Sequence, residues 1–275
     1  MKKNNLLALA LIGALAVSMF ACTKKDAVET TSNNEIAQST LSKISSMGFS
    51  TEGARKVDGG YLVEGDILLT DDNLSNTSKS ANLNIAETEQ YRTTNLVTGL
   101  PRVITVSVTN LPQVYSDAVD TMITRYNNLG LNLTFQKAST GTVGNIDVLG
   151  FNEGPSGGYI TLGSAGFPTS AGKPFNQVKM NTNVNAYGTN PNLLYLASVL
   201  QHEVGHCIGF RHTDYMNRAF SCGGSRSNEG TAGVGAVRIP GTPSKADAAS
   251  FMLACSNGGN RTFNANDRIA LNYLY

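Results

Sequence analysis

All three histidines of this 275-residue chain fall inside one eleven-residue stretch, His202-Glu203-Val204-Gly205-His206-Cys207-Ile208-Gly209-Phe210-Arg211-His212. Imidazole is the commonest protein ligand for zinc, and its spacing here is informative. His202 and His206 are four apart, so on a helix they share a face and their rings can converge on one ion. Glu203 lies about 100° further round the same helix, within reach of a water on that ion without taking a coordination position. Such a carboxylate can serve as general base, and the chemistry the set would support is metal-assisted hydrolysis.

His212 would be out of reach if the helix continued, so the chain has to turn. Gly209 is placed to turn it, because glycine tolerates the left-handed conformation that ends helices. Three neutral histidines around one Zn2+ leave a tetrahedral site with an open position, the arrangement of catalytic rather than structural zinc, with nitrogens expected at about 2.0–2.1 Å. HExxH alone is a common pattern, but the added glycine and third histidine narrow it.

The elements that must hold these residues are legible on either side. Asn190-Pro191 offers a side-chain cap followed by proline at a first helical position, predicting a helix that starts near Pro191. Leu193, Ala197, Leu200, Val204 and Cys207 form its apolar stripe, and His202 and His206 project to roughly the opposite side, as the floor of a cleft. Upstream, residues 102–109 alternate as a strand, residues 112–129 have helical spacing, and Leu131, Leu133 and Phe135 alternate again. Further strands are predicted over residues 145–151, 158–167 and 176–181. Residues 61–69 also alternate and read as one strand.

With this motif, HEVGHCIGFRHTD, the chain resembles the metzincin clan of zinc peptidases, and within it the bacterial HEIGH-motif peptidases of family M57. The resemblance covers most of residues 95–275. It implies an α+β, zincin-like catalytic domain over residues 96–275, with a small mixed sheet, an active-site helix, a Met-turn and a C-terminal helix. It also implies a zinc-dependent endopeptidase acting on proteins or peptides, with His202, His206 and His212 on the metal and Glu203 as the base. Met252, 40 residues beyond His212, is the expected Met-turn methionine, its polarizable thioether suiting an apolar floor under the histidines; Met216 is the alternative. Asn264 and Asp267 resemble the start of the clan's C-terminal helix, with Ile269, Ala270 and Tyr273 as its buried stripe. Some relatives carry a tyrosine two residues after the methionine, where this chain has Ala254. An edge strand above the metal binds substrate in extended form in this clan. Residues 163–167 are the candidate, and an ordinary exposed edge is the competing reading.

The N-terminus reads as an export signal: Lys2 and Lys3, an apolar run over residues 6–20, then Ala21-Cys22. It resembles a bacterial lipoprotein signal, with residues 1–21 removed and Cys22 acylated, although Met19 replaces the usual leucine. The implied location is the cell envelope, as an outer-membrane lipoprotein or at the cell surface, with membrane contact through the lipid anchor; plain secretion is the alternative. In that oxidising setting Cys207, Cys222 and Cys255 make one disulfide and one free thiol. Sequence does not choose the pair. Cys222 with Cys255 is the first choice, since Cys207 sits on the apolar stripe.

Residues 22–95 read as a tether followed by an accessory or pro-segment. Asp66, Asp71 and Asp72 lie in it, and a carboxylate can take the open position on zinc in place of water. The formal net charge of +1, without basic clusters beside aromatics, argues against nucleic acid as a partner. Two other functions fit the motif: an envelope-anchored binding protein that retains a zinc site, and a zinc amidase acting on a non-protein amide.

Overall fold

The computed structural model describes residues 35–75, 90–156, 158–225, 236–243 and 246–275. Cys22 and the export segment lie outside them. In chain order the elements are α1 (Gln38–Ser46), β1 (Arg55–Val57), β2 (Gly60–Val63), β3 (Ile67–Leu69), α2 (Asp71–Ser75), β4 (Tyr91–Arg92), β5 (Arg102–Val108), α3 (Gln113–Asn127), β6 (Leu133–Lys137), β7 (Ile146–Phe151), β8 (Gly163–Ala165) and β9 (Gln177–Asn181). They are followed by α4 (Val184–Tyr187), α5 (Leu193–Ile208), β10 (Phe210–Arg211), α6 (Ala219–Cys222), β11 (Val237–Arg238) and α7 (Ala265–Leu274).

Eight strands form one mixed sheet in the order β1-β2-β3-β8-β9-β7-β5-β6. The β5–β6, β5–β7 and β7–β9 pairs are parallel, and β8 runs antiparallel to β9. Parallel neighbours need a crossover, and α3 supplies it between β5 and β6. Its apolar side, with Tyr115, Ala118, Val119, Met122 and Tyr126 buried, faces the core. Tyr126 donates from its hydroxyl to the Gln201 carbonyl at 2.9 Å, joining α3 to α5.

Three expectations change in the folded chain. Residues 61–69 form two antiparallel strands, with Tyr61↔Leu69 and Val63↔Ile67 in register. Glu64 (φ 55) and Gly65 (φ 92) turn the chain back between them, a local conformation that alternation of side chains does not encode. Helix α5 begins at Leu193, and its cap is Asn192, whose side chain accepts from Leu194 N and Tyr195 N; Pro191 therefore precedes the cap. The third concerns α7. Its capping box between Asn264 and Asp267 is present and its buried residues are Asp267, Ala270 and Leu271, while Ile269 and Tyr273 are exposed. The helix sits one step further round than the apolar spacing predicts, because the Asp267 carboxylate has buried partners to reach.

Strands β1 to β3 do not stand apart from the rest. β3 pairs in parallel with β8, so the segment before residue 95 extends the sheet of the residues after it. Behind this hairpin lies a small second core of Ile44, Phe49, Val63, Ile67, Leu69, Leu74 and Phe167.

Candidate active site

Helix α5 carries His202, Glu203 and His206, and every residue from Leu196 to Ile208 on it is buried. The expected division into an apolar face and an open floor is therefore too simple. The sheet, α3 and the C-terminal segment enclose the helix, leaving His202 at 9 % exposure while His206 and His212 have none. The helix stops at Gly209, whose φ of 112° is left-handed and whose N–H caps onto Gly205 O and His206 O. A Cβ there would meet Leu96 Cδ2 at 2.8 Å and Asn95 O at 3.0 Å, so a larger residue is excluded by contact as well as by conformation. Phe210 and Arg211 then pair with β4, and the returning chain brings His212 to the other two rings.

Centroid distances among the three rings are 4.7, 5.3 and 4.9 Å. His202 Nδ1 meets the Phe251 carbonyl at 2.9 Å and His206 Nδ1 meets the Phe210 carbonyl at 2.7 Å. A carbonyl can only accept, so both rings carry their proton on Nδ1 and present an Nε2 lone pair to the centre. Those two Nε2 atoms lie 3.1 Å apart. Burial, then the neighbouring His202 and His212, hold the His206 pKa well below the usual imidazole range. Facing lone pairs at this distance repel unless a cation lies between them. The donor set thus fits a metal ion of imidazole preference, zinc foremost.

A fourth group comes from the turn between β2 and β3. Asp66 Oδ2 is 3.2 Å from His202 Nε2 and 3.1 Å from His212 Nε2, and one ligand atom from each of Asp66, His202, His206 and His212 can be chosen so that all lie within 4.8 Å of one another. Burial alone would raise the Asp66 pKa, but the facing His212, with His202 and His206 beside it, outweighs burial and holds the carboxyl well below its usual range. Two residues earlier, Glu64 forms a fully buried ion pair with Arg211, and its Oε2 lies 4.0 Å from His212 Nδ1. The Arg211 guanidinium sits over the rings of Phe49, at 4.3 Å, and Tyr215, at 5.2 Å.

Glu203 is 2 % exposed and stands under β8. A Cβ on Gly163 would fall 2.7 Å from its Oε1 and 2.9 Å from its Cγ, so the bare backbone at Gly163 makes room for the carboxylate. Its Oε2 is buried with no hydrogen-bond partner among the described residues. Burial raises its pKa well above the usual carboxylate range, the Asp66 charge adds to this, and His212 opposes it. A bound cation would act in the direction of His212. Glu203, His202 and Asp66 line a cleft of about 990 Å³ that also borders Tyr159, Tyr195 and Arg261.

Met252 is fully buried beneath α5, where a Cβ on Gly205 would meet its Sδ at 2.5 Å. Its carbonyl accepts from Thr213 N at 2.8 Å, tying this turn to the residue after His212. The turn is held from behind by Asp267, which accepts from Phe251 N at 3.1 Å, Ser250 Oγ at 3.0 Å and Gln90 Nε2 at 2.6 Å. Met216 packs instead with Tyr91, Tyr215 and Ala236. Cys222 and Cys255 are bonded, with S–S 2.06 Å, and Cys207 is a buried free thiol whose pKa burial raises. Asp214 joins the two strands of chain near that disulfide, accepting from Ala254 N at 2.9 Å and from Ser221 Oγ.

Asp66, Glu64 and Gly163 complete the site from outside the histidine motif, whereas Gly205 lies within it. The nearest sequence signal was acidic residues in the accessory segment, which did not distinguish Asp66 from Asp71 or Asp72.

A three-histidine centre with an adjacent buried glutamate, on a helix under a mixed sheet, defines a metallopeptidase-type site. Residues 61–275 match the family described as dual-action HEIGH metallo-peptidase, Peptidase_M57. The chain belongs to that family and is a metallopeptidase with a mixed α+β fold closed by a C-terminal helix. Two solved structures of myroilysin are similar to it. One, "Structure of Myroilysin", is 14% identical, with 63% of this chain and 79% of that chain covered and a TM-score of 0.39. The other, "Crystal structure of myroilysin", is 15% identical, with 74% and 95% covered and the same TM-score of 0.39. No curated protein matches.

Proposed function

We propose that the chain is a zinc endopeptidase in which His202, His206 and His212 hold the ion and Glu203 is the general base. The observation that carries this reading is the pair of Nε2 lone pairs fixed 3.1 Å apart beside a buried carboxylate. When bound, zinc supplies Lewis-acid polarisation of a carbonyl and a lowered pKa for water. The Phe251 and Phe210 carbonyls fix the tautomer and orientation of the two helix histidines. Glu203, its pKa raised by burial, accepts the proton of the attacking water and passes it to the departing amine nitrogen. Met252 fills the space left by Gly205 and keeps the Phe251 carbonyl against His202. Membership of the peptidase family favours protein substrates over a small amide; residues 163–167 are not the free edge expected of them, because β8 lies between β3 and β9 in the sheet.

Glu203→Ala and His206→Ala separate binding from chemistry, provided each is measured in the native chain and in an Asp66→Ala chain, since Asp66 lies among the ligand atoms. Glu203→Ala should keep one zinc per chain and lose about 10²–10⁴-fold in cleavage of an unfolded protein, while His206→Ala loses both. Undiminished cleavage by Glu203→Ala would refute the base assignment. Zinc binding without cleavage in either background would favour the binding-protein reading, and turnover of small amides alone would favour the amidase. We further propose export and envelope anchoring through acylated Cys22, on the strength of the N-terminal sequence; equal membrane association of wild type and Cys22→Ser would refute it.

A further inference from the structure

We propose that Arg261 sets the cleavage preference of this peptidase by receiving the carboxylate of an aspartate or glutamate side chain next to the scissile bond. The inference rests on the peptidase reading and adds a substrate class to it. Along α5, Tyr195, Ser198 and Val199 stand seven, four and three residues before His202, so they share its face of the helix, and all three border the cleft. At about 1.5 Å of rise per residue, Ser198 lies about 6 Å from His202 along the helix axis and Tyr195 about 10 Å. Successive residues of an extended chain are about 3.3–3.6 Å apart, so the side chain beside a carbonyl held at the metal falls over this stretch.

The backbone of Arg261 is fixed to the same face. Its N–H donates to Ser198 Oγ at 3.0 Å and its carbonyl accepts from that hydroxyl at 3.1 Å, which clips the residue to α5 one turn before His202. The facing wall is the chain after Met252, where Ala254 and Cys255 border the cleft and the Cys222–Cys255 disulfide holds them. Among the described residues the guanidinium makes one hydrogen bond, from Nη1 to the Cys255 carbonyl at 3.3 Å, and no carboxylate pairs with it. Asp214 and Asp267 act on it from a distance, and both are bound elsewhere, Asp214 by Ala254 N and Asp267 by Phe251 N. A guanidinium has five N–H donors, so most of this one's remain for a ligand. Burial removes part of its water, which strengthens its pull on a negative group, and its planar fork matches a carboxylate in two parallel bonds.

Cleavage sites made in an unfolded protein by the full zinc-loaded chain, and by its Asp66→Ala form, are read by mass spectrometry. Aspartate or glutamate should be enriched at one position flanking the cut. For C-terminally amidated peptides built on such a site, kcat/KM should be about tenfold or more higher with glutamate than with glutamine at that position. Arg261→Met should bring the two peptides within about threefold by slowing the glutamate peptide, with the glutamine peptide and the zinc content little changed. Arg261→Lys keeps the charge without the planar fork and should retain part of the preference; it covers the case in which Arg261→Met fails to fold. Cuts without acidic enrichment would overturn the proposal and leave the peptidase reading in place. So would a glutamate preference undiminished in both variants, or cleavage that requires a free C-terminus, which would make the terminal carboxylate the ligand. A zinc-loaded chain that makes no cuts in either form would sink both readings.

Discussion

Removing the Glu64 carboxylate should destabilise this protein more than most single substitutions do. Arg211 and Glu64 are both fully buried in their side chains, and besides Glu64 the guanidinium is placed over Phe49 and Tyr215 and 3.4 Å from the Gly48 carbonyl. Glu64→Ala leaves a guanidinium that cannot deprotonate in a site shielded from water, and breaking a buried pair from one side costs about 3–5 kcal/mol. At roughly 2–4 °C per kcal/mol for a domain of this size, the melting temperature should fall by about 6–20 °C. Because Arg211 adjoins His212, zinc affinity should fall as well. Thermal unfolding followed by circular dichroism, with and without chelator, measures both. Arg211→Met combined with Glu64→Ala replaces the pair by apolar groups and should recover much of the loss, since such exchanges are often close to neutral. If Glu64→Ala melts within a degree or two of wild type, or the double variant is as unstable as the two singles summed, the ion pair does not act as argued.

Gly163→Ala places a Cβ 2.7 Å from Glu203 Oε1; displacing the base by that crowding should lower turnover about 10²-fold with zinc content unchanged, measured in an Asp66→Ala chain, and full activity would mean the carboxylate does not work from under β8. Burial raises the Asp267 pKa to about 6 from an unfolded value near 3.8, so the native state holds this proton more tightly than the unfolded one. Its contribution is then greatest below about pH 4 and is lost, by about 3 kcal/mol, as pH rises through 6. Melting temperatures of the metal-free protein between pH 4 and 7 should show this fall in wild type and not in Asp267→Asn, and parallel curves would contradict it.

Much of the metal centre is local in sequence. A helix repeats every 3.6 residues, so two histidines four apart share a face whatever surrounds them, and a glycine three residues later ends the helix by its own backbone preference. Sequence by itself therefore specified His202, Glu203, His206 and Gly209, and through them His212. The Asn264 cap with Asp267 was readable for the same reason, since both residues lie within one turn. What the tertiary structure decided is everything that depends on contacts between distant parts of the chain. Asp66 reaches the histidines from 136 residues away, by way of a hairpin turn that strand alternation hides. Arg211 finds Glu64 across 147 positions, and the bare backbones at Gly163 and Gly205 acquire their purpose only because Glu203 and Met252 are packed against them. The complete burial of α5 likewise follows from what covers it rather than from its own periodicity. Local rules place side chains relative to their own helix or strand, whereas which surfaces meet is settled by packing and by the need to pair every buried charge.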